Sequence, residues 1–369
     1  MSPAPTGTAP ARMSFLIVPR FNMASLITMI EPLRIANYLA PAPLYDWEIL
    51  AMDGHEIAAS NGLSISASPA GERLQRGSML FVLASWGAEH YDNAETFSWL
   101  RRQARAGVRI CAVENGSYLV ARAGLLSGRK AALHWSWAPG FQERFPDIEG
   151  VEQLYLVDEP VLTCAGGIAG TDLMLRLVAD AQGERMAAEV AGQMLHETIR
   201  AGHGPQRRAP GKGAAPGAGP GAEPVPPQVG KAIALIERNI SEPMKVPQIA
   251  AALGLSQRQL ERQFSRSVGC TVVQFGTLLR LQHARVLLTS TRLSVREIAA
   301  ASGFNTLSHF AYAFRRCFGR RPSDYRQAWP EEDSAPSWPG TLSAFVESRA
   351  GRGRAATGPA AGTVSERPG

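Results

Sequence analysis

The sequence predicts two domains of different class: a mostly parallel α/β sheet domain, then an all-α domain built on two helix-turn-helix units. Three observations predict it. Residues 13–201 alternate short apolar runs with helical patterns, as in a sheet covered by helices on both faces. Residues 228–329 carry helical periodicity alone. Inside that second block one short pattern occurs twice, about fifty residues apart.

The strand-like runs are Ser14–Val18, Trp47–Met52, Met79–Ala84, Arg109–Val113 and Val161–Cys164. They are apolar on both sides of the alternation, which suits strands buried on both faces. Helical patterns fall between them at Ser25–Tyr38, Glu95–Ala106, Gly116–Ala123 and Trp137–Phe145, and Gly170–Gln182 and Glu184–Arg200 close the block. Ligands of such sheets bind beyond the carboxyl ends of the strands. The loops that matter are therefore Pro19–Met23, Ser85–Ala88 and Val113–Ser117.

Residues 202–227, above all His203–Pro227, are rich in Gly, Ala and Pro and read as a flexible tether. Residues 330–369 have similar composition and read as a disordered tail. Between them, helices are expected at Lys231–Ile240, Val246–Gly254, Gln257–Ser267, Thr271–Leu288, Val295–Ser302 and Thr306–Cys317, with a short last helix opening at Pro322.

The repeated pattern sits in this helical block. Ile249-Ala-Ala-Ala-Leu-Gly254 and Ile298-Ala-Ala-Ala-Ser-Gly303 are small-residue helices that end on a glycine. Polar N-caps (Ser256, Asn305) and cationic second helices follow. A helix-turn-helix places its second helix in the DNA major groove. With Leu260 and Phe264 inward, Arg258, Glu261 and Arg262 project outward; arginine suits guanine, and glutamate can accept from cytosine N4. With Phe310 and Phe314 inward, Ser308, Ala311, Tyr312 and Arg315 face out, and His309, Arg316, Arg320 and Arg321 are phosphate candidates.

Charge agrees with this. The chain's formal net charge is +6, but residues 228–329 hold 15 Lys and Arg against 5 Asp and Glu, leaving the rest mildly acidic. A basic third joined to an acidic remainder fits a nucleic-acid module attached to something else. No run is long and apolar enough to span a membrane, and the first dozen residues lack a signal peptide's apolar stretch, so a cytoplasmic protein is expected. The 4 cysteines are widely spaced, with no CxxC pair and no ligand-spaced histidine, so reduced thiols without metal or cofactor are expected.

Residues 229–329 resemble the DNA-binding domain of AraC-type transcription regulators, through Ile249-Ala250, Gly254-Leu-Ser256, Phe264, Gly269, Arg280, Ala284-Arg285, Ile298-Ala299, Gly303-Phe304, His309-Phe310, Phe314 and Pro322. Residues 13–201 resemble a PfpI-like, class I glutamine-amidotransferase-type domain. The matching segments are Glu31–Asn37, Ser60–Gly62, Gly116–Leu126, Gly128-Arg129, His134-Trp135 and Thr163–Gly167. Together they imply a flavodoxin-like α/β sandwich followed by a double helix-turn-helix domain. The nearest likeness is to activators of glycine betaine, carnitine and arginine catabolism. It implies a homodimer that binds double-stranded promoter DNA, answers a small-molecule effector and engages RNA polymerase, away from any membrane.

PfpI-like enzymes carry a nucleophilic cysteine at the strand-to-helix turn. Aligned on Gly116-Ser-Tyr-Leu119, this chain has Glu114 there, and Cys111 lies inside the preceding strand. His134 matches the family histidine but has no thiol to activate, so no catalytic residue is assigned. The alternative is an amidase- or deglycase-type enzyme fused to a DNA-binding domain. In the favoured reading the pocket binds a small nitrogenous metabolite, with Glu114, Trp86, Tyr118, His134 and Trp135 as its residues. In the plainer reading these aromatics are core and Glu114 is a solvated or capping carboxylate.

Overall fold

The computed structural model describes residues 9–206 and 226–328, apart from Asp53 and Glu72. The chain divides into two compact units, residues 9–206 and most of residues 226–328, with Thr289–Arg292 grouped with the first. The expected tail and most of the expected tether lie outside the described residues.

The first unit opens with β1 (Ala11–Ile17), α1 (Met23–Leu39), β2 (Tyr45–Ala51), β3 (Glu56–Ala58), β4 (Ser64–Ser66) and β5 (Ser68–Pro69). It continues through β6 (Met79–Ala84), α2 (Ala94–Arg105), β7 (Arg109–Glu114), α3 (Gly116–Arg122), β8 (Lys130–Ala132) and α4 (Ala138–Arg144). β9 (Glu149–Val151), β10 (Tyr155–Leu156), β11 (Val161–Cys164), α5 (Ala169–Gln182) and α6 (Glu184–Gln193) complete it.

Seven strands form one sheet in the order β10-β11-β7-β6-β1-β2-β5. Its five predicted strands are mutually parallel and run second, first, third, fourth, fifth in space, the flavodoxin-like order. Order reverses between β1 and β6, so a crevice opens at the carboxyl ends there. Alternation within each strand builds two cores. Phe15, Ile17, Phe81, Leu83, Cys111 and Val113 pack with α1, α5 and α6. Leu16, Val18, Leu80, Val82, Ile110 and Ala112 pack with α2 and α3. β6 is buried along its whole length, as its unbroken apolar run requires.

Three local expectations are corrected. The strands β3, β4, β5, β8, β9 and β10 were not expected, because two or three residues are too few to show a period. The helix expected over Glu184–Arg200 ends at Gln193, with Leu195 turned to a left-handed φ of 54°. The tether does not begin at residue 202. Gly202 accepts from Leu154 N at 2.9 Å. Gln206 donates to Leu133 and Gln153 carbonyls and accepts from Trp135 N. Residues 196–206 thus form a strap held against the first unit; composition alone could not show these partners.

The second unit comprises α7 (Pro227–Arg238), α8 (Val246–Ala252), α9 (Gln257–Val268), α10 (Val272–Ser290), α11 (Val295–Ala301), α12 (Leu307–Phe318) and α13 (Pro322–Ala328). It has two small cores. Val229, Ile233, Ile249, Leu260 and Phe264 form one; Ile298, Phe304, Phe310, Phe314 and Tyr325 form the other. The connector α10 serves both, giving Val272, Phe275 and Leu278 to the first and Leu281, Ala284, Leu287 and Leu288 to the second. Arg280, midway along it, donates to Gly303 O at 2.9 Å and lies 4.8 Å over the Phe304 ring.

The two turn glycines are not equivalent. Gly254 (φ 67°) has open space where a Cβ would stand, whereas at Gly303 (φ 71°) a Cβ would meet Ile240 O at 2.4 Å. Gly254→Ala should therefore cost about 1 kcal/mol for the left-handed backbone alone. Gly303→Ala should cost about 3 kcal/mol or more, because rigid backbone must also move. Denaturant melts of the two variants check this; equal losses would contradict the close approach.

Candidate nucleic-acid interface and sheet-end pocket

On α9, Leu260, Phe264 and Val268 are buried and Arg258, Arg262 and Arg266 are exposed. Their four-residue spacing sets the three arginines along one outward stripe. Arg266 was not singled out from sequence, although that spacing marks it. Glu261 is not free in the way its sequence position suggests. It is half-buried and its carboxylate accepts from Val272 N at 3.3 Å, so it caps the first turn of α10.

On α12, Ser308, His309, Tyr312 and Arg315 are exposed; Tyr312 leaves 65% of its surface open. The His309 ring meets Phe304 edge-on at 5.5 Å. Arg316 is half-buried, its Nη1 lies 3.5 Å from Tyr312 Oη, and its Nε is buried without a hydrogen-bond partner among the described residues. The sequence expectation for Arg316 as a free phosphate ligand is weakened by that burial.

The cap of α12 is a further correction. Ser256 caps α9, its Oγ accepting from Gln259 N, while Gln259 Oε1 accepts from Ser256 N. Asn305 does not do the same for α12; Thr306 does, accepting from His309 N at 3.2 Å. The second turn is one residue longer than the first, so the residue equivalent to Ser256 is Thr306.

In the first unit Glu114 ends β7 with a φ of 55°, a left-handed conformation unusual for a side-chain-bearing residue. The tight strand-to-helix turn lifts its carboxylate to the sheet's carboxyl edge. Ser85 Oγ donates to Oε1 at 2.8 Å and Ser25 Oγ to Oε2 at 3.1 Å. Burial raises its pKa, and hydrogen bonds from Ser85, Ser25 and Asn22 oppose that rise. Asn22, Ser85 and Glu114 come one from each of the three loops expected to matter. Ser25 Oγ also accepts from Gly167 N at 2.7 Å, tying α1 to the turn before α5.

A cavity of about 240 Å³ opens here, lined among others by Asn22, Glu114, His134, Trp135, Arg200 and Gln206. His134 Nδ1 lies 2.7 Å from Ser136 Oγ, and the His134 and Trp135 rings lie 5.7 Å apart. Three of the five expected pocket residues therefore line it. Tyr118 does not: α3 turns it into the core, where its ring meets Phe141 at 5.1 Å. Trp86 is 43% exposed but is absent from the cavity lining. Arg200 and Gln206 were missed because they reach the cavity through the strap, a tertiary arrangement with no local signal.

Cys111 and Cys164 are buried in strand interiors; burial pushes the Cys111 thiol well up and Cys164 up to about 12. Among the described residues no group of three or more His, Cys, Asp or Glu is placed to hold a metal, and no helix is long and apolar enough to cross a membrane.

Known proteins resemble both parts. Residues 249–328 match the family pattern of a helix-turn-helix domain. The HTH-type transcriptional regulator CdhR of Pseudomonas aeruginosa is 35% identical over 346 residues, covering 92% of this chain and 98% of its own. The HTH-type transcriptional regulator GbdR of the same species is 34% identical over 326 residues, covering 88% and 87%. A ThiJ/PfpI family protein from Pseudomonas syringae aligns structurally over 55% of this chain and 79% of its own, with 22% identity and a TM-score of 0.44. The chain belongs to the AraC-type family of helix-turn-helix transcriptional regulators, whose members bind DNA.

Thr306→Ala should lower unfolding stability by about 1 kcal/mol, as loss of an N-cap does, while Asn305→Ala should leave it within about 0.5 kcal/mol. Thermal melts of both variants check the assignment; the reverse order would restore Asn305 as the cap.

Proposed function

We propose that this protein is an effector-responsive regulator, an activator of a catabolic operon, acting as a homodimer that engages RNA polymerase. The observation that carries its DNA-reading half is the exposed stripe of Arg258, Arg262 and Arg266 on α9, matched by Ser308, Tyr312 and Arg315 on α12. The α9 face is the more cationic and supplies base readout to guanine. The α12 face, with His309 beside it, supplies shape and phosphate contact. Glu261 acts by fixing the start of α10 rather than by touching a base. With α10 shared between both cores, the reading helices address successive major grooves about 34 Å apart.

The sheet-end pocket is the effector site, and Glu114 stands where PfpI-like enzymes carry their thiol. The domain binds rather than catalyses: both strand thiols are inaccessible, and a thiolate is required for such a nucleophile. The effector is a small nitrogenous metabolite of the betaine, carnitine or arginine kind. Glu114 and the Trp135 face suit its cation, each such aromatic contact contributing about 0.5–2 kcal/mol.

The decisive experiment is footprinting of genomic promoter fragments with and without these metabolites. Absence of preference over random competitor at physiological salt would remove the regulatory reading. Arg262→Ala should weaken binding by about 1–3 kcal/mol at one base step. An equal loss on every sequence, measured by competition binding, would make Arg262 a phosphate contact. The Glu114 carboxyl ionises at higher pH than usual, so cation affinity should rise as pH climbs through that raised pKa. Calorimetry across a pH series from acidic to neutral should show the rise in wild type and a smaller one in Glu114→Gln, where His134 is the remaining titratable neighbour; equal profiles in the two would remove Glu114 from binding.

A further inference from the structure

Among the ionisable groups that line the sheet-end cavity, Glu114 and Arg200 carry opposite sign, with His134 also in the lining. Arg200 is held by an unusual arrangement. Arg200 Nε and Nη2 donate to Asp172 Oδ2 at 2.9 and 2.6 Å, and its backbone N donates to Oδ1 at 2.8 Å. Asp172 is wholly buried in the first turn of α5, and His196 Nε2 lies 3.0 Å from Oδ1. Asp172 is thereby occupied by partners from the strap and does not line the cavity.

The guanidinium is left pinned at one edge and open at the other. Its side chain is 40% exposed, and its Nη1 makes no hydrogen bond among the described residues. Guanidinium has five donors in a fixed planar fork, so the Nη1 edge still offers donors in a set direction. Because Asp172 already orders the side chain, a new acceptor there adds a charge-assisted bond at little further entropy cost. A solvated surface arginine would not be buttressed in this way.

We propose that Arg200 is the anion-reading residue of this pocket, and that its ligand is a compact zwitterion. The acid group sits on the Nη1 edge of Arg200, and the nitrogen cation lies toward Glu114 and Trp135. This rests on the reading of the cavity as the effector site. A cavity of about 240 Å³ falls below the ~300 Å³ at which drug-sized pockets begin, so it suits a metabolite rather than a nucleotide or peptide. Gln206 supports the cation end from the same strap, since its Oε1 fixes the Trp135 backbone at 2.9 Å. One short stretch, residues 196–206, thus contributes to both ends of the ligand.

The test is calorimetry on the full chain with two matched pairs of probes, glycine betaine against choline and L-arginine against agmatine. Members of each pair share the cationic group, and only the first carries a carboxylate. At least one zwitterion should bind about ten- to a hundredfold tighter than its carboxylate-free partner, as loss of one charge-assisted bond predicts. Arg200→Met should abolish that preference and Arg200→Lys should keep part of it, with circular dichroism and melting curves showing that both variants fold. Equal affinity within both pairs in wild type, or a preference that survives in Arg200→Met, overturns the assignment of Arg200 and leaves the cavity a cation site. No binding by any of the four overturns the effector reading of the cavity as well.

Discussion

The helical unit depends on one helix being shared. α10 gives its first half to one apolar core and its second half to the other, so neither helix-turn-helix can be packed without it. Two short helices over a handful of apolar residues would be marginal alone. Fused through a common strut they become one rigid reader. Glu261 fastens the strut's start to the first reading helix, and Arg280 fastens its middle to the second turn. A carboxylate that sequence assigns to a cytosine, and an arginine that could pass for another phosphate ligand, both work inside the protein.

The α/β unit depends on a different constraint, a carboxylate held at a strained corner. Glu114 takes a left-handed backbone at the end of a buried strand and is met there by two serine hydroxyls. Burial makes its charge costly, and the hydroxyls make that charge tolerable. A position so supported is built to hold an anion facing a cavity, and the three loops that converge on it lie where the strand order reverses.

Much of this was legible in the chain. The five long strands and the helices of both units announced themselves through period and length, whereas the flavodoxin-like arrangement of the strands was implied only by the family resemblance. The three loops around the cavity were legible as the segments beyond the carboxyl ends of those strands. What failed was contact at a distance. Tyr118 sits one helical turn past Glu114, yet the helix carries its ring to the opposite side of the sheet. Arg200 reads as the end of a helix, but Leu195 breaks the helix and sends the chain back over the cavity. Composition made residues 202–206 look like tether, since no local pattern reveals that a carbonyl and one glutamine side chain will find partners across the fold.

The four thiols carry a last consequence. Burial lifts every one of them, Cys111 well above its ordinary value, Cys164 and Cys317 to about 12 and Cys270 to about 11. Thiolate, not thiol, is what peroxides, alkylating agents and soft metals attack. At neutral pH the four cysteines of the folded chain therefore offer oxidants little thiolate, which sets them apart from the low-pKa thiols of redox sensors.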